Sequence, residues 1–259
     1  MVQPTDRATR QGLAHVLWLG GPPDGGKTSI AQIIARKWGL QVYHFDRHEP
    51  AHFAQADPQR HPALYAAHPD RLDAETRWLG STPEAMARDT IASWTERAVM
   101  ACDDLLGLPT KPRLLAEGPG FFPAALAPLL ADPRQAVWLL PTEEFKRASV
   151  ARREKLAGVP LSDLARAREN LIRRDLLMGR QIAAQCNFFG LTLFPVDGSA
   201  DLATMADRVA AQLAPFLATP DVGHTDESDD RQAGEAYRQR SRFTDYGTSR
   251  RVNSAGDRR

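Results

Sequence analysis

Gly20-Gly21-Pro22-Pro23-Asp24-Gly25-Gly26-Lys27-Thr28-Ser29 decides the reading of this chain. It contains Gly21-x-x-x-x-Gly26-Lys27-Thr28, a complete Walker A pattern. The glycines let backbone N–H groups turn inward around an anion. A helix starting at the end of the loop aims its positive pole at the same point. Lys27 has the reach to touch the β- and γ-phosphates of a nucleoside triphosphate, and the Thr28 hydroxyl suits Mg²⁺. Gly21, Asp24, Gly25, Gly26, Lys27, Thr28 and Ser29 are therefore the expected nucleotide-binding residues. The motif demands a strand before it and a helix after it. His15–Leu19 before it is a short apolar run. Residues 26–38 after it carry Ile30, Ile33, Ile34 and Trp38 at helical spacing, with Gly39 as a stop.

Working outward, four further runs are near-continuously apolar: Leu40–Phe45, Arg113–Ala116, Ala136–Leu140 and Leu191–Val196. Such runs read as strands buried on both faces. Helical patterns separate them. One opens at Ser81-Thr82-Pro83-Glu84, a capping-box arrangement, and continues to Leu105. Others cover 143–157, a long stretch after Ser162, and about 200–217. Strands alternating with helices predict an α/β fold with a parallel sheet and right-handed crossovers. Residues 13–218 form the expected domain, between a polar leader (1–12) and a tail (219–259). From Asp221 onward the tail holds eight Arg and eight acidic residues with few scattered apolar ones, so it is expected to be disordered.

Composition narrows the function classes. The chain has 259 residues, of which 42% are hydrophobic, enough for a sizeable core. No apolar run approaches the 18 or so residues that a membrane helix needs, and the first dozen residues lack a signal-like apolar stretch. Two cysteines, Cys102 and Cys186, make no disulfide framework and suit a reducing cytoplasm. The net charge of +1 argues against a nucleic-acid partner. Arg outnumbers Lys 28 to 5, and Arg is the preferred forked ligand for phosphate.

The type of phosphate-loop protein is narrowed by what is missing. The stretch nearest to a guanine-reading Asn-Lys-x-Asp is Thr110-Lys111-Pro112-Arg113, which lacks the Asp. There is no Leu-Ser-Gly-Gly-Gln, and no strand ends in an Asp-Glu pair. With its loop, with Asp46 closing the second strand and with an Arg-rich segment after the fourth, the body resembles the P-loop kinases. That group includes the shikimate, gluconate and chloramphenicol-phosphorylating types. The resemblance implies a three-layer α/β fold with strand order 2-3-1-4-5, ATP and Mg²⁺ as cofactors, and a small-molecule acceptor.

The resemblance also assigns roles. Asp46 would orient or deprotonate the acceptor hydroxyl, or else merely cap a turn. Glu117, ending the third strand, would lie beside the loop and share Mg²⁺ with Thr28, or be held by neighbouring N–H groups. Arg147, Arg152 and Arg153 are expected lid arginines that neutralise the transferring phosphoryl group together with Lys27. Arg166, Arg173 and Arg180 recur every seven residues on one helical stripe, and Arg166 and Arg180 read as a solvated face. His44, His48 and His52 are spaced by four, but Pro50 interrupts the helix that would align them as metal ligands. Residues 44–80 are expected to shape the acceptor pocket or to form a plain loop, with Trp78 and Trp94 as core. Val196-Asp197-Gly198-Ser199 would pack near the base. Two rival readings stand beside the kinase: a nucleotide-binding regulatory module and a polynucleotide 5′-hydroxyl kinase. Oligomeric state is not encoded in any pattern here.

Overall fold

A computed structural model describes residues 7–217, and the tail expected over 219–259 lies outside them. In chain order the elements are α1 (Arg7–Gly12), β1 (Val16–Gly20), α2 (Lys27–Trp38), β2 (Gln41–His44), α3 (Glu49–Ala54), α4 (Pro62–Ala66), α5 (Ala74–Leu79) and α6 (Pro83–Leu106). Then follow β3 (Leu114–Glu117), α7 (Pro123–Leu126), β4 (Ala136–Pro141), α8 (Glu143–Arg152), α9 (Leu164–Phe189), β5 (Thr192–Val196) and α10 (Leu202–Leu213).

All five strands are parallel, in the order β2-β3-β1-β4-β5. Helices cover both faces. This is the three-layer α/β arrangement expected of P-loop kinases. The period-two alternation of a strand divides β1 between two cores. Val16 and Trp18 join a cluster with Tyr43, Phe45, Phe121 and Trp138. Leu17 and Leu19 join the opposite cluster with Ile30, Ile34, Val137 and Leu139. Because both faces are covered, β1, β3 and most of β4 are fully buried.

Several boundaries differ from the sequence reading, each for a local reason. The polar leader is helical over Arg7–Gly12, and Arg10 donates to the Pro128 carbonyl at 2.8 and 3.0 Å. The helix expected over 143–157 ends at Arg152, and the chain then turns through Glu154 and Leu156, both left-handed at φ 44° and 64°. Asp46 does not close the second strand. β2 ends at His44, and Phe45–His48 forms a 3-10 turn that carries Asp46. Arg97 of α6 is the reason: its guanidinium donates to the Phe45 carbonyl at 2.9 Å and lies 4.1 Å from the centroid of the Phe45 ring. The carbonyl that would continue the strand ladder is therefore engaged elsewhere.

Register sets where the ends of the strands fall. Glu117 on β3 is level with Leu19 on β1 and His44 on β2, and Gly20 is level with Trp138 on β4. The buried Trp138 indole N–H donates to the Phe121 carbonyl at 2.8 Å and so pins the loop that follows Glu117. Trp138→Phe leaves that carbonyl without its donor in the core. We expect a loss of about 1–3 kcal/mol, read from the midpoint of chemical denaturation.

Candidate phosphate-binding cleft at the carboxyl edge of the sheet

The loop Gly20–Ser29 leaves β1 in a conformation that only particular residues allow. Gly21 has φ 124°, and a Cβ there would lie 2.1 Å from the Leu139 carbonyl oxygen. Gly26 is left-handed at φ 78° and caps α2, whose N-terminus opens directly on the loop. Asp24 is also left-handed, at φ 75°, although it is not glycine. Lys27 is buried in the first turn of α2, and its ammonium donates to the Pro22 carbonyl at 2.8 Å.

A cleft of about 200 Å³ lies on this loop. Its lining includes Asp24, Gly26, Lys27, Thr28 and Ser29 from the loop and α2, Asp46 from the turn after β2, and Glu117 from the end of β3. Arg153 and Lys155 complete it from the turn after α8. The Thr28 hydroxyl donates to Glu117 Oε1 at 3.1 Å, and His44 Nδ1 donates to the same oxygen at 2.7 Å. One buried carboxylate thus ties α2 and β2 together.

Of the three expected lid arginines, the structure brings only Arg153 to the cleft. Arg147 lies on the surface of α8, bonded to Glu143 at 2.8 Å and to Glu169 at 2.7 and 3.1 Å. Arg152 is exposed in the last turn of α8 and is not part of the lining. Gly21 and Gly25 shape the loop without lining the cleft; Gly25 packs toward Leu139 and Pro141. The histidines go to different partners. His44 serves Glu117. His48 stacks on Tyr43, with ring centroids 4.1 Å apart, and its Nδ1 meets the His44 carbonyl at 2.9 Å. Buried His52 bonds Asp104 at 2.9 Å. Among the described residues no three His, Cys, Asp or Glu side chains converge to hold a metal ion.

Burial acts on every charge here, and the partners decide the result. Burial holds the Lys27 ammonium below its ordinary value, although the charges of Glu117, Asp46 and Asp24 oppose this. Burial also pushes the Asp46 carboxyl up. Lys27, Arg97 and Lys155 pull it back, and Glu117 adds to the rise. Burial alone would raise Asp24 as well, but its hydrogen bond to Lys146 and the charges of Lys146 and Lys155 outweigh that and lower it.

The sequence reading missed Lys146, Asp175, Lys155 and Arg97. Lys146 of α8 is buried between Asp24, at 2.5 Å, and Asp175 of α9. Asp175 also takes two bonds from Arg174, at 2.7 and 2.8 Å. The only hint of these partners in the sequence was that Lys146 and Asp175 fall in the basic tract between Glu143 and Arg180.

No protein-family model matches the chain. No curated protein matches it either. The solved structures to which the chain shows similarity include two of low identity. One is an uncharacterized protein from Eubacterium ventriosum ATCC 27560, at 12% identity and a TM-score of 0.36, covering 77% of this chain and 98% of that one. The other is shikimate kinase from Acinetobacter baumannii in complex with shikimate, at 14% identity and a TM-score of 0.41, covering 81% of this chain and 99% of that one. No helix among the described residues is long and apolar enough to cross a membrane.

The Asp46 shift has a stability consequence. A carboxyl whose folded-state value is raised disfavours the folded state once it ionises. The penalty is absent below the unfolded value near 3.9. It grows as pH rises toward the folded value and is constant above it. Asp46→Asn should therefore raise the melting temperature at pH 7, and the gain should vanish at the acid end of a pH series followed by calorimetry.

Proposed function

We propose that this protein is an ATP- and Mg²⁺-dependent phosphotransferase that moves the γ-phosphoryl group to a small-molecule acceptor. One observation carries the reading. A single cleft gathers Lys27, Thr28, Asp46, Glu117 and Arg153 around the N-terminus of α2. Phosphoryl transfer asks little covalent chemistry of a protein; it asks for positioning and for neutralisation of charge. The loop N–H groups and the positive pole of α2 suit the triphosphate. Lys27, released from the Pro22 carbonyl, would reach the β- and γ-phosphates. Thr28 and Glu117 offer the oxygen donors that a hard cation prefers. The two hydrogen bonds to Glu117 both fall on Oε1, so Oε2 carries neither of them. Mg²⁺ held there would neutralise charge on the phosphates.

Asp46 would take the proton of the acceptor hydroxyl as its oxygen attacks the γ-phosphorus and ADP leaves with the bridging oxygen. Its raised carboxyl value suits that task, because a base works best with a value nearer the working pH. The acceptor would lie in a second cavity, of about 530 Å³, whose lining includes Glu49, Arg77, Trp94 and Arg174. That size suits a small organic molecule. Asp46 and Glu49 stand three residues apart across the 3-10 turn, a spacing that stacks side chains on one side. Arg97 bonds Glu49 at 2.8 Å and also acts on the charge of Asp46. The Phe45–Glu49 segment thus gives Asp46 to the cleft and Glu49 to the cavity.

The test is a screen of metabolites, nucleosides and antibiotics for acceptor-stimulated ADP production in the presence of ATP and Mg²⁺. Asp46→Asn should lower acceptor-dependent kcat by about 10²-fold or more and leave ATP affinity near the wild-type value. Lys27→Ala should lose ATP·Mg²⁺ binding by calorimetry. A Lys27→Ala protein that bound ATP·Mg²⁺ as tightly as wild type would end the phosphate-loop reading.

A further inference from the structure

A carboxylate inside an anion-binding loop opposes the loop's own purpose unless something neutralises it. Asp24 is such a carboxylate. Its side chain has 0% exposure, and its backbone sits in the left-handed region at φ 75°. For a residue other than glycine that conformation is strained and persists only where the surroundings hold it. Three cations do so: Lys146 at 2.5 Å, Arg153 at 3.2 Å and Lys155 at 3.3 Å.

The three differ in kind. Lys146 is buried and shared with Asp175, itself bonded by Arg174. Arg153 and Lys155 keep 53% and 34% of their side chains exposed and line the cleft with Lys27 and Thr28. Four cations therefore meet two carboxylates, which leaves two positive charges in excess, and the two incompletely buried cations face the cleft. The backbone between them is built for this. Left-handed Glu154 and Leu156 alternate with Arg153 and Lys155, which turns both cations onto one carboxylate.

We propose that Asp24 is a positioning residue: it docks the turn after α8 onto the phosphate loop and so sets Arg153 and Lys155 over the γ-phosphate. The buried Lys146–Asp175 pair fixes Asp24 from behind. The role rests on the phosphate-loop reading above, and it gives Asp24 a task other than direct contact with the nucleotide.

The test uses the full chain with ATP·Mg²⁺ and water as acceptor, plus calorimetry with ATP·Mg²⁺ and ADP·Mg²⁺. Asp24→Asn keeps the shape and removes the charge. The expected result is ATP affinity equal to or a few-fold tighter than wild type, a kcat for hydrolysis about ten-fold lower, and a smaller preference for ATP over ADP. A merely structural role would weaken binding and turnover together with the melting temperature, and that outcome overturns the proposal. In a double-mutant cycle, Asp24→Asn combined with Arg153→Gln should be no slower than Arg153→Gln alone; additive losses overturn the proposal. If Asp24→Asn does not fold, the cycle is run with Arg153→Gln and Lys155→Gln, which leave Lys146 on Asp24. Non-additive losses are then expected, and additive ones overturn it. If Lys27→Ala keeps full ATP·Mg²⁺ affinity, the phosphate-loop reading itself falls. If Lys27→Ala loses it while Asp24→Asn matches wild type throughout, only the role of Asp24 falls.

Discussion

Glu117 Oε1 accepts from Thr28 and from His44, and the rest of the site hangs on that arrangement. A carboxylate buried at the end of a strand needs donors, because its desolvation is otherwise unmatched. Parallel register supplies them by bringing Glu117 level with His44 on one side and beside the end of β1 on the other. Satisfying one side chain thereby fixes the first turn of α2 relative to the edge strand. The first turn of α2 and the end of β2, from which the Asp46 turn leaves, thus meet at one carboxylate.

Within that frame, burial is common to all the charged groups and the partners are not. Lys27 and Asp46 are each pushed toward the neutral form; Glu117 is the main counterweight for Lys27, and Lys27 is the main one for Asp46. Asp24 sits in the same wall of the cleft but touches three cations and goes the opposite way. Two aspartates in one small cleft thus shift in opposite directions: burial raises the carboxyl of Asp46, and the lysines around Asp24 lower that of Asp24. Neither property belongs to the residue type. Each follows from which helix faces it.

The legible part of the sequence was local. The loop, the apolar runs and the helix caps depend on neighbours within a few residues, so five strands and the main helices could be read directly. The strand order came from a resemblance, and the sheet has that order. The site was legible where the motif dictated it, at Lys27 and Thr28, and where a strand end dictated it, at Glu117. It was not legible for Lys146 and Asp175, which meet across 29 residues, nor for Arg97, which reaches back 52 residues to end β2 at His44. The basic tract after β4 misled because charge density says nothing of direction. Arg147 is taken up by Glu169 on the neighbouring helix, whereas Arg153 and Lys155 are turned inward by two left-handed residues. Lys155 lies between two left-handed residues and Arg147 lies within a helix, a difference that composition does not encode.

Phe45 touches both glycines of the loop after Glu117: a Cβ on Gly118 would come within 2.2 Å of the Phe45 Cβ, and one on Gly120 within 2.1 Å of its ring. Arg97 covers another face of the same ring and also holds Glu49. The cavity wall, the Asp46 turn and the Glu117 loop therefore share one aromatic pivot, anchored from a 24-residue helix outside the sheet. Glu49 of the cavity lining is thus linked through Arg97 and Phe45 to the segments that carry Asp46 and Glu117.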